Sequence, residues 1–188
     1  MKMIIKTIAV FTMVAFGLQA TAQSEEETKK WMEYSTPSEI HKMLAASDGE
    51  WKEDITFWMA PGAPESKMKA SCVNKMVLGG RYQESRHTGD FMGMPFEGIG
   101  TLAYDNARKV FINTWIDNMG TGIMYLEGTW DAKTKTVNLS GKMTDPMTGK
   151  ETKVREEFKI IDDNTQEMTQ YTEQGGKEFK NMHIKITR

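Results

Sequence analysis

Few residues in this chain have the type and spacing to do chemistry, and the most informative is an acid on a strand. Between Glu151 and Ile161, Val154, Glu156, Phe158 and Ile160 share one parity, and Lys153, Arg155, Glu157 and Lys159 share the other. Glu156 therefore points among apolar side chains, where a carboxylate is costly unless it is paired or protonated. Its possible partners are Arg81, Arg86, Asn113, Asp117 and Gln170. Together with Trp58, Tyr104 and Trp115, Glu156 and Asp117 define a candidate ligand-binding patch, polar groups in an aromatic-lined cavity. The plainer alternative is a buried hydrogen-bonded network, or a bulge that turns Glu156 outward. Acid–base catalysis would need a second carboxylate, Asp117 or Glu97, beside Glu156. No Gly-x-Ser-x-Gly occurs, and Cys72 has no recognisable histidine and acid arrangement in the sequence, so no catalytic residue is assigned.

Metal and cofactor chemistry has little local support. The histidines are His41, His87 and His183, and with one cysteine they show no zinc spacing. His183 alternates with Met182, Ile184 and Ile186, which places it on the outer face, whereas a proximal haem ligand would have to face a cavity. Methionine is abundant: Met92, Met94, Met119, Met124, Met143 and Met147 fall at strand ends. Soft thioethers gathered at one mouth would suit Cu(I). An adaptable apolar rim is the simpler reading, because only Met92 and Met94 have local spacing. Asp145 to Lys150 lacks the glycine spacing of a phosphate loop and reads as a hairpin turn. No metal and no cofactor is expected.

The elements that must position these residues are strands. Trp51, Ile55, Phe57 and Met59 alternate with Lys52, Asp54 and Thr56 before Pro61-Gly62-Ala63-Pro64 breaks the run. Comparable segments recur over 67–78, 80–89, 97–104, 109–117, 122–130, 135–144, 151–161, 166–173 and 178–188, separated by turn sequences such as Gly79-Gly80, Asp105-Asn106 and Gln174-Gly175-Gly176. Ten strands with hairpin-length links make an antiparallel meander, and closure into a barrel removes its two edges. A short helix precedes them: Thr36-Pro37-Ser38-Glu39 has the layout of a capping box, Ile40, Met43 and Leu44 fall on one face, and Asp48-Gly49 ends it. Cys72 shares parity with Met68 and Ala70 and should face the core.

Composition narrows the setting. A single cysteine excludes a disulfide framework, 39% hydrophobic residues exclude a disordered chain, and a net charge of −2 argues against nucleic acid as a partner. Lys2 and Lys6, the apolar run from Ile8 to Leu18 and Ala20-Thr21-Ala22 read as a signal peptide cleaved near Ala22, too short to span a bilayer. Its removal takes 188 residues to 166, and the loss of two lysines takes the charge to −4. The expected organisation is a leader over 1–22, a polar segment and helix over 23–48, and a barrel over 49–188. The protein should be exported, periplasmic or secreted.

Gly49-Glu50-Trp51 at the first strand and Arg188 in the last resemble the closure of lipocalins and their calycin relatives, in which a Gly-x-Trp plugs one end and a basic residue lies across the indole. More specifically, Phe57-Trp58-Met59-Ala60-Pro61-Gly62, Pro95-Phe96-Glu97-Gly98-Ile99-Gly100, Tyr104-Asp105-Asn106, Thr114 to Gly122, Asp145 to Lys150 and Ile184-Lys185-Ile186-Thr187-Arg188 resemble an uncharacterised bacterial family of lipocalin-like domains of unknown function. The resemblance implies the barrel and an exported bacterial setting, and no activity. The expectation is a lipocalin-like barrel holding a small, largely apolar molecule. An enzyme using cavity carboxylates, or an envelope interaction protein with a filled barrel, are the alternatives.

Overall fold

The computed structural model describes residues 24–188, so the leader predicted over 1–22 lies outside the described residues. Two units are distinguished. In the first, residues 24–35 are helical (α1), and the exposed rings of Trp31 and Tyr34 stand 6.0 Å apart.

The second unit opens with α2 (Glu39–Ala45), followed by β1 (Gly49–Phe57), β2 (Ser66–Val77), β3 (Tyr82–Phe91), β4 (Met94–Asp105), β5 (Val110–Asp117), β6 (Met124–Asp131), β7 (Thr136–Thr144), β8 (Glu151–Asp162), β9 (Thr165–Gln174) and β10 (Lys177–Thr187). Each strand pairs antiparallel with its sequence neighbours, and β1 pairs with β10 to close a ten-stranded barrel. The expected fold class, all-β and closed, is what the chain forms. The helix start differs from the expected one. Ser38, not Thr36, is the N-cap, and the N3 partner that accepts its N–H is His41 Nδ1 at 2.9 Å rather than a glutamate. Thr36 is drawn away because its Oγ1 donates to Met32 O at 2.6 Å. The helix closes at Ala45, and Gly49, at φ +118°, begins β1 instead of ending α2.

Up-and-down connectivity sorts the turns onto two ends. One end carries α2, Leu44 packed on Phe111, Leu126 and Val137, and the closure: Trp51 Nε1 donates to Ser47 O at 2.8 Å, and the Arg188 guanidinium lies 4.4 Å above the indole. The Arg188 nitrogens donate to Asp48 O and Ala46 O, both at 3.2 Å. The opposite end carries the β1–β2, β3–β4, β5–β6, β7–β8 and β9–β10 connections, and with them exposed Met59, Met92, Met94, Met119, Ile123 and Met147. Met92 and Gly93, with φ 55° and 86°, form a two-residue hairpin turn, so the stretch expected as a loop after Gly89 is mostly strand.

The strands part at this second end. β2 and β3 are in register from Val77 opposite Tyr82 to Ala70 opposite Gly89, and beyond that point Ser66 to Lys69 have no partner on β3. An open groove of about 610 Å³ lies there, lined by Phe57, Met68, Phe91 and Met92 with Lys67, Lys69 and Asp90 at its edges.

Candidate functional site

Two apolar clusters line the barrel wall. One runs through Trp51, Ile55, Phe57, Ala70, Cys72, Ile184 and Ile186, the other through Phe111, Leu126, Val137, Leu139 and Val154, and Phe158 touches both. Among the inward-facing polar residues two groups stand out, apart from Gln83, which donates to Leu44 O at the α2 end, and Gln166.

The first group centres on Glu156, which faces inward and is 5% exposed. Gln170 Nε2 donates to Glu156 Oε1 at 2.8 Å, Asn113 Nδ2 donates to Oε2 at 3.4 Å, and Asn181 Nδ2 donates to Gln170 Oε1 at 2.8 Å. The partners are amides. Arg81 donates to Leu78 O and Arg86 pairs with Glu84, so neither guanidinium serves Glu156. Burial pushes the Glu156 carboxyl above its ordinary value, and the two amide donors pull it back only in part. Asn113 on β5 reaches Glu156 on β8 across two intervening strands, so this network crosses the lumen. Asn181 Oδ1 is buried and has no hydrogen-bond partner.

Asn181 owes its place to a bulge. Its parity with His183 in the sequence predicts an outward side chain, but the register shifts between Lys180 and Met182, which turns Asn181 toward Gln170. His183 stays on the outer face, with Nδ1 3.1 Å from Thr169 Oγ1.

Trp115 and Asp117 stand apart from Glu156, with the indole edge-on to the His87 ring at 4.9 Å between ring centres. Trp115 Nε1 donates to Asp117 Oδ2 at 2.7 Å, and Asp117 Oδ1 accepts the Met119 N–H at 2.9 Å. Both carboxylate oxygens of Asp117 are thus occupied, and Glu97 is exposed on the outer parity, so neither is placed as a catalytic partner for Glu156. The indole lies on the backbone of β4: a Cβ at Gly98 would come within 2.4 Å of Trp115 Cζ2, so only glycine admits the ring. Tyr104 packs on Phe111 and His41 at the α2 end, 5.0 and 6.0 Å between ring centres. Trp58 follows the last residue of β1 and sits beneath Lys180, whose Nζ is 4.6 Å from the ring centre, while Phe57 is the residue that faces the lumen. The five candidate ligand residues therefore do not form one patch: only Trp115 and Asp117 meet each other, and Glu156 is brought together instead with Asn113, Gln170 and Asn181.

The second group is one the sequence spacing does not reveal. Cys72 on β2 lies opposite His87 on β3, and Glu53 faces them from β1. His87 Nδ1 is 3.0 Å from Glu53 Oε2, His87 Nε2 is 3.6 Å from Cys72 Sγ, and Cys72 Sγ is 3.2 Å from Asn74 Oδ1. A histidine and an acid thus do stand beside Cys72, contrary to the reading of the sequence, because barrel register brings together residues far apart in the chain. The order thiol, imidazole, carboxylate resembles that of a nucleophilic triad. Burial, with the Glu53 charge, pushes the Cys72 thiol up to about 12, so the proton stays on sulfur and the nucleophile is not activated.

Residues 36–188 match the family described as "Protein of unknown function (DUF1579)", and the chain belongs to that family. Among solved structures, the crystal structure of Rv2717c from M. tuberculosis is similar at TM-score 0.62 and 14% identity, covering 81% of this chain and 99% of that one. That likeness is one of fold. No curated protein matches the sequence.

Proposed function

We propose that this barrel is an exported, lipocalin-like binding protein for a small, largely apolar molecule carrying at least one hydrogen-bond donor. The observation that carries the reading is the Asn113–Glu156–Gln170–Asn181 network, which reaches across the lumen from β5 to β8 and leaves the Asn181 Oδ1 acceptor unused. A buried acceptor without a partner costs roughly 1–3 kcal/mol, which a ligand's donor would recover. The groove where β2 and β3 separate supplies an apolar way in past Phe57, Met68 and Phe91. Met68 within the groove and exposed Met92 at its edge give that entrance soft, adaptable walls. The amino-terminal pattern supports export, and a purified mature protein beginning at Gln23 is the expected result of Edman sequencing.

Titration with the apolar dye 1-anilinonaphthalene-8-sulfonate, with displacement by long-chain alcohols, tests the binding. Saturable one-to-one binding is expected, weakened at least tenfold by Phe91→Glu in the entrance. A dye that binds nowhere, or equally well to that variant, overturns the reading and leaves a barrel filled by its own side chains.

A further inference from the structure

The cluster of Glu53, Cys72 and His87 does not depend on the ligand reading and has chemistry of its own. Their ligating atoms all lie within 4.8 Å of one another, on three adjacent strands and inside the barrel. Three features are hard to account for by packing alone. First, Glu53 is 2% exposed, and among the described residues no lysine or arginine lies within ion-pair distance of it; the one side chain at that distance is the His87 imidazole. A buried carboxylate is costly unless it is paired, hydrogen-bonded or protonated, and a cation held at the imidazole would offset that cost. Second, Sγ and Nε2 stand 3.6 Å apart. A tetrahedral zinc ion, at about 2.3 Å from sulfur and about 2.0–2.1 Å from nitrogen, holds its two ligands roughly 3.5 Å apart. Third, the other imidazole nitrogen is already held by a carboxylate at 3.0 Å, the arrangement that fixes ring orientation and tautomer behind a metal-bound histidine.

We propose that this cluster is a binding site for a borderline-soft divalent cation of the zinc type, with Cys72 Sγ and His87 Nε2 as ligands and Glu53 positioning the imidazole from behind. The donor set selects the ion. Thiolate and imidazole suit zinc and disfavour magnesium or calcium, which prefer oxygen. Charge agrees: binding displaces the thiol proton to solvent, and one thiolate with one carboxylate balances a dication without help from solvent. The His87 side chain is 16% exposed although it faces inward, so the site is within reach of solvent. Two coordination positions are left for water or for Asn74 Oδ1, which is 3.2 Å from the sulfur.

Cobalt(II) is the probe. Titrating it into chelator-treated protein should give one equivalent bound, with a thiolate-to-cobalt charge-transfer band and d–d bands of four-coordinate intensity, all bleached by zinc. The Cys72→Ser variant should lose the charge-transfer band, and His87→Ala should lose stoichiometric binding. Glu53→Gln should retain the band and weaken binding by about 10–100-fold, as expected of a residue acting through the imidazole. One measurement needs no variant: zinc should protect Cys72 from alkylation in partly denaturant-loosened protein, and magnesium should not. The proposal is overturned if cobalt gives no charge-transfer band, if the band persists in Cys72→Ser, or if zinc leaves alkylation unchanged.

Discussion

Glu156 shows what a single buried acid does to this fold. Its carboxyl is held above the ordinary value of 4.5 by burial, so the folded protein keeps a proton that the unfolded chain has already released. The sign follows from that. The favourable contribution is complete below the unfolded value and is lost as pH rises toward the folded one. Relative to Glu156→Gln, which cannot ionise, the wild-type protein should lose stability by about 1.4 kcal/mol per pH unit across that interval and level off once the folded carboxyl ionises. Denaturant melts of both proteins between pH 4 and 8 would check it, and parallel stability curves would show that Glu156 is not held neutral. The inward parity of this residue and the amide partners Asn113 and Gln170 were legible as candidates in the sequence. Which of five possible partners it takes was not, because that depends on cross-strand register and on a hydrogen bond across the lumen.

At the scale of elements, alternation over ten segments is strong enough to read the strands, since each must bury one face, and the ends move by at most three residues when hairpin turns tighten. Three things do not show in a one-dimensional pattern. A bulge reverses the parity of Asn181, a helix cap shifts from Thr36 to Ser38 because Thr36 finds another acceptor, and residues 19 and 15 positions apart meet as Glu53, Cys72 and His87. The parting of β2 from β3 is a fourth, because Ser66 to Lys69 alternate as well as any strand does. On that segment β1 satisfies one edge only. Alternate amides of 66–69 should therefore exchange with deuterium far faster than those of 70–77, and saturation with an apolar ligand should slow them by at least tenfold. Uniform protection along β2 would mean the gap is closed in solution.

The whole barrel is asymmetric along its axis, and its two ends are built differently. The α2 end is tied shut by contacts that join the two extremes of the domain: Arg188 bridges carbonyls of Ala46 and Asp48 and covers Trp51, while β10 pairs with β1 over six residues. The methionine end carries the groove, with Met92 at its edge, and further exposed apolar groups on its other connections. Stability and binding should then be separable. Arg188→Ala removes two carbonyl hydrogen bonds and the cation over the indole, a loss of about 1–3 kcal/mol and therefore a few degrees in Tm. Arg188→Lys keeps the charge without the planar fork that reaches two carbonyls at once, and should restore less than half of that loss. Neither change touches the groove, so dye affinity should stay within about twofold of wild type at temperatures where each variant is folded. Differential scanning calorimetry alongside dye titration measures both. If Arg188→Ala weakened binding as much as it lowered Tm, the two ends would be coupled through the barrel, and the division between a closed base and an open mouth would have to be given up.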